Sequence, residues 1–164
     1  MNNYAVADWA CVGLAALAVA GCEPTPSAPS DAEIEAISDT ILSLASSSDD
    51  AVSETECLAA LEFFGDREPL VVSDTRIVRS RAEMRDLCGQ TESGIVAAQT
   101  TIEAADVHVL SRDAAYVVRS GPSFLEFEDG SELTIFLVMT GVWARTPDGW
   151  KRMHYHESSG EAGG

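Results

Sequence analysis

Gly141-Val142-Trp143-Ala144-Arg145-Thr146-Pro147-Asp148-Gly149-Trp150-Lys151-Arg152-Met153-His154-Tyr155-His156-Glu157-Ser158 is the stretch that decides the fold. Its flanks alternate in polarity around Pro147-Asp148-Gly149, residues that favour a tight reversal, so it predicts a hairpin of two long strands. On the second strand, alternation puts Trp150, Arg152, His154, His156 and Ser158 on one face. Met153, Tyr155 and Glu157 take the other. Met153 and Tyr155 are the apolar members, so their face is expected to bury against helices and leave the histidine face open.

Upstream, the same period of two begins at Ile95 and gives strands near 95–110, 114–128, 132–145 and 150–158. Ser111-Arg112-Asp113 and Asp129-Gly130-Ser131 mark the other turns. Before Ile95 the pattern is helical. Ser30-Asp31-Ala32-Glu33, Ser53-Glu54-Thr55-Glu56 and Ser80-Arg81-Ala82-Glu83 are three capping boxes. Apolar residues follow each at helical spacing: Ile34, Ile37, Ile41 and Leu44; then Cys57, Leu58, Leu61 and Phe64; then Met84, Leu87 and Cys88. Gly65 and Gly89 stop the second and third helices. Between those two, 69–72 and 76–78 flank Ser73-Asp74-Thr75 as a short hairpin. Helices first and a meander after predict an α+β domain.

The chain has 164 residues and a formal net charge of −17, with no basic stripe. This excludes nucleic acid as a partner and an electrostatic grip on anionic lipid. The run Ala10 to Ala20 is apolar but too short to span a bilayer, and it leads into Val19-Ala20-Gly21-Cys22. That junction resembles the lipobox of bacterial lipoproteins, although no Lys or Arg precedes it. The resemblance implies a leader over 1–21, acylation at Cys22, a Pro/Ser-rich tether over 22–31 and a place in the cell envelope, on the periplasmic or extracellular side. The folded domain is expected over 32–159, with a flexible tail over 160–164. In such an oxidising compartment Cys57 and Cys88 either bridge two helices or stay as buried thiols.

The closing hairpin, ending in Gly-Trp-x-x-x-His-x-His-x-Ser, is similar to that of nuclear transport factor 2-like domains. The nearest in style are the SnoaL-like group and the association domain of calcium/calmodulin-dependent kinase II. The stretch 63–87, with "PLVVSDTRIV" before "SRAEMRDL", fits the same pattern. The resemblance implies a cone: three helices on a strongly curved, mostly antiparallel sheet. It also implies Trp143, Met153, Tyr155 and Glu157 as the pocket lining. Isomerases and cyclases of this superfamily use a base deep in the cone, for which Tyr155, Glu157 and His156 are the candidates here. His154 and His156, with His108 or a carboxylate, lack the spacing of a metal site, so neither metal nor cofactor is expected. No nucleophile elbow or phosphate loop is present. The favoured expectation is a small-ligand-binding or assembly module that holds an apolar ligand, or pairs as a homodimer through the open sheet face. A membrane is touched only through the lipid anchor. The alternative is a dehydratase, isomerase or cyclase.

Overall fold

The computed structural model describes residues 27–47, 54–89 and 94–161. The leader, Cys22, most of the tether, the capping Ser53 and the last three residues of the tail lie outside the described residues. Helix α1 (Asp31–Ser46) opens on a closed capping box. Ser30 Oγ accepts from the Glu33 amide, and the Glu33 carboxylate accepts from the Ser30 amide at 2.8 Å. Its buried stripe is Ile37, Ile41 and Ala45, whereas Ile34 stays exposed. Helix α2 (Glu54–Ala59) runs into a 3-10 turn, Ala60–Phe64, and stops at Gly65 with φ 58°. Helix α3 (Arg81–Cys88) is capped by Ser80, while Glu83 reaches back to the Arg79 amide.

The strands are β1 (Val71–Ser73), β2 (Arg76–Val78), β3 (Ile95–Thr100), β4 (Ala104–Ser111), β5 (Ala114–Phe127), β6 (Glu132–Thr146) and β7 (Gly149–Glu161). They form one curled sheet in the order β2-β1-β7-β6-β5-β3, with β4 also beside β5. Every pairing is antiparallel except β1 with β7. The α+β architecture is that of the cone. Two apolar clusters fill it. One joins α1 to Ala115, Val117 and Trp143. The other joins Leu61 and Phe64 to Val71, Val78, Met84 and Cys88.

The expected single strand over 95–110 is two strands. The Thr101 amide donates to the Pro122 carbonyl and the Glu103 amide to the Ser120 carbonyl, so the chain steps across Gly121. A Cβ on Gly121 would stand 1.9 Å from the Thr101 carbonyl oxygen. Only glycine admits that approach. Gly121→Ala is therefore expected to cost about 1–3 kcal/mol in urea unfolding through overpacking. An unchanged midpoint would contradict this packing.

Arg112, in the β4–β5 turn, fixes the entry to α1. Its Nε and Nη2 meet the Glu33 carboxylate at 2.7 and 2.9 Å, and it also donates to the carbonyls of Ser27 and Ala28. The Arg112 side chain, helped by Ser30, holds the Glu33 carboxyl down from the ordinary 4.5 to about 2. A lowered carboxylate pKa stabilises the fold above the unfolded value and ceases to do so as pH falls through the folded value. The protection factors of the amides at the start of α1, measured against their intrinsic exchange rates, should accordingly fall between about pH 4.5 and 2. Arg112→Ala, which lets the Glu33 carboxyl return toward its ordinary value, should flatten that pH dependence.

Candidate functional site: a polar-edged cavity in the cone

The site is set by an irregularity in β7. Across β6 and β7, Val142 faces His154 and Trp143 faces Arg152, so Met153 has no partner and forms a β-bulge. The extra residue moves the strand's phase by one. Arg152 therefore joins Tyr155 and Glu157 on the inner face, although simple alternation groups it with the histidines. Met153, expected inside, is the bulged residue and is not among the residues lining the cavity. Beyond the bulge the period of two resumes, and His154 and His156 take the outer face, in register with Val142 and Thr140.

Arg152 is 4% exposed and enclosed by aromatic rings. Its Cζ lies 4.9 Å from the ring centroids of both Trp143 and Tyr155, and 5.1 Å from that of Phe63. Cation–π attraction strengthens when both groups are out of water, which helps hold this charge inside. Arg119 also points inward, in the row Arg119, Met139, Glu157, Ser73 across the sheet. Alternation along Ala115, Val117 and Arg119 was the signal for it; no local signal marks Arg152.

Beside Arg152, the Tyr155 hydroxyl donates to Glu157 Oε2 at 2.9 Å, two residues apart on one strand face. Arg152, Tyr155 and Glu157 line a cavity of about 200 Å³ with Ser73, Val71 and Phe64. Cys57, Ala60, Met84 and Leu87 close it from the helices. Cys57 is joined to Cys88, with Cα atoms 5.5 Å apart, so the bridge ties α2 to α3 over the cavity. Trp143 is fully buried behind Arg152 and is not itself a lining residue.

The other candidates lie elsewhere. His156 is on the outer face. His154 Nδ1 lies 3.1 Å from the Leu70 carbonyl. His108 stacks on Tyr116 at 4.6 Å, with β5 and β6 between its strand and β7. Among the described residues no group of three His, Cys, Asp or Glu is placed to hold a metal ion.

This architecture is shared with known structures. A nuclear transport factor 2-like superfamily protein from Salmonella enterica serovar Typhimurium aligns over 81% of this chain and 94% of its own, at 17% identity and TM-score 0.58. A hexachlorocyclohexane dehydrochlorinase from Novosphingobium barchaimii aligns over 79% and 90%, at 12% identity and TM-score 0.62. A ketosteroid isomerase-like protein from Erwinia carotovora atroseptica aligns over 80% and 96%, at 15% identity and TM-score 0.55. At such identities the likeness concerns the fold. No curated protein sequence matches significantly. The SnoaL-like domain model matches residues 34–160, which take in all but the first residues of α1 and the last of β7, and the chain belongs to that family.

Proposed function

We propose that the chain is a lipid-anchored module that binds a small apolar ligand in its cone. The observation that carries this reading is the cavity: an apolar wall of Ala60, Phe64, Met84 and Leu87 with a polar edge at Ser73, Tyr155 and Glu157. Ligand pockets have this composition, apolar surface for affinity and a few polar groups for orientation. Toluene titrated into the full chain should shift the Met84 and Leu87 methyl signals saturably. Methyl signals that stay fixed up to the solubility limit would contradict the reading.

The sequence around Val19-Ala20-Gly21-Cys22 supports acylation at Cys22 and an envelope location on the periplasmic or extracellular side. A Cys22→Ala chain that stays equally membrane-bound would count against it. The open sheet face, where Phe124 and Val138 are exposed beside the histidine rows, is the surface proposed for a homodimer. A monomer at all concentrations in sedimentation would remove it.

One observation favours a second reading, an enzyme of the dehydratase, isomerase or cyclase type. A hydroxyl donor and a carboxylate meet inside the cavity at 2.9 Å, which is the chemistry of proton transfer. Two of the structural neighbours bear the names of a dehydrochlorinase and an isomerase-like protein. Deuterium exchange at the α-carbons of an added ketone, lost in Glu157→Gln, would support the enzyme. No exchange above the buffer rate would leave the binding module.

A further inference from the structure

Acidic residues outnumber Lys and Arg by 27 to 10 in this chain, yet Arg67, Arg145 and Lys151 line one cleft of about 320 Å³. It lies between the turn that ends the 3-10 segment and the β6–β7 hairpin, and buried Phe64 is the one residue it shares with the cone cavity. Both walls are held by hydrogen bonds. The Gly65 amide donates to the Glu62 carbonyl at 3.1 Å, and the Arg67 amide to the Phe64 carbonyl at 3.3 Å. Opposite, Thr146 Oγ1 donates to the Gly149 carbonyl at 2.9 Å and accepts from the Asp148 amide at 3.2 Å. The cations are placed as well. Gly65 has φ 58°, and a Cβ there would stand 3.3 Å from Lys151 Cδ and Cε, so the half-buried lysine stem packs on bare glycine backbone. Asp113 at 3.6 Å and the Trp150 ring at 5.0 Å steady Arg145. Asp66 and Asp148 line the same cleft. Even so, among the described residues neither the Arg67 guanidinium nor the Lys151 ammonium has a hydrogen-bond or ion-pair partner.

We infer that this cleft is a second binding site, outside the cone, for a compact organic dianion of the dicarboxylate or phosphate-ester class, with Arg67 and Lys151 meeting its negative oxygens. Two charges on the ligand match two cations that no carboxylate of the chain has engaged. The guanidinium offers a planar fork to an oxyanion and the ammonium a point charge. A site whose walls and cations are already held loses less freedom when it binds. The size follows from the volume. The cleft holds about ten water volumes, more than an inorganic phosphate fills, so a short carbon body fits beside Pro147. Asp66 and Asp148 add like charges, which disfavours long polyanions. The net charge of −17 repels anions at a distance, but screening over about 8 Å at physiological salt leaves the nearby cations to decide.

The test titrates succinate, succinamide and inorganic phosphate into the full chain at constant ionic strength, read at the backbone amide signals of Gly65, Arg67, Asp148 and Lys151. Succinate is expected to shift them saturably. Succinamide, of the same size but uncharged, should leave them in place. Lys151→Gln and Arg67→Gln should each weaken succinate about threefold, and Asp148→Asn should strengthen it by about as much. Phosphate separates the two ligand classes: saturation below the succinate concentration supports the phosphate ester, and saturation above it the dicarboxylate. Equal shifts from succinate and succinamide, or a succinate affinity that neither glutamine variant changes, would overturn the site. Toluene binding at the Met84 and Leu87 methyls should persist in Lys151→Gln, so the cleft and the cone cavity stand or fall separately. Should a variant not fold, the succinate and succinamide titrations of the wild-type chain decide.

Discussion

Replacing Trp143 with alanine should lower the unfolding free energy by about 3–5 kcal/mol. The ring is fully buried and packs edge-on against Phe63, with centroids 6.0 Å apart and planes at 79°. It belongs to the cluster that joins α1 to the sheet. It also forms one wall of the aromatic enclosure of Arg152. Truncation thus opens a large void and removes one of the rings that hold a buried cation, two costs that add. Trp143→Phe should recover more than half of the loss, since it keeps an aromatic ring in both places. Urea unfolding of the two variants checks this. A loss below about 1 kcal/mol for alanine would mean that the ring is not the core element described.

Removing the bridge by Cys57→Ser with Cys88→Ser is expected to cost about 3–4 kcal/mol in the chain-entropy model, since the two positions are 31 residues apart. Cys88 is fully buried beneath Met84 and Leu61, so a serine there adds an unpaired hydroxyl to the core. Cys57→Ala with Cys88→Ala separates the two effects, because alanine removes the bridge without that hydroxyl. The bridge ties α2 to α3, and Cys57 lines the cavity, so its loss should also speed amide exchange in those helices. Equal stability of oxidised and reduced wild-type protein would contradict this role.

The elements legible in the sequence are those governed by local rules. The capping box at Ser30 and the N-cap serine at Ser80 place two helix starts to the residue, because each serine oxygen accepts from the amide three positions on. Turn glycines at 130 and 149 adopt the positive φ that fixes two hairpins. The break at 101–103 is not legible in Thr101-Ile102-Glu103, which are ordinary strand formers. Its cause lies on the neighbouring strand, where Gly121-Pro122 interrupts β5, and that pair was the available signal. The bulge at Met153 has no such trace. Lys151-Arg152-Met153-His154 could continue a regular strand, and only the register with β6 inserts the extra residue. The site reading inherits that gap. Tyr155 and Glu157 lie inside as their phase indicates, Met153 leaves the wall, and Arg152 enters it.

A crystal structure of the full chain under xenon pressure tests most directly whether the bulge builds a ligand cavity. One xenon atom is expected between Phe64, Met84 and Leu87, with the Arg152 guanidinium enclosed by Trp143, Phe63 and Tyr155. A structure with Met153 directed inward, Arg152 in solvent and no xenon in the cone would contradict it.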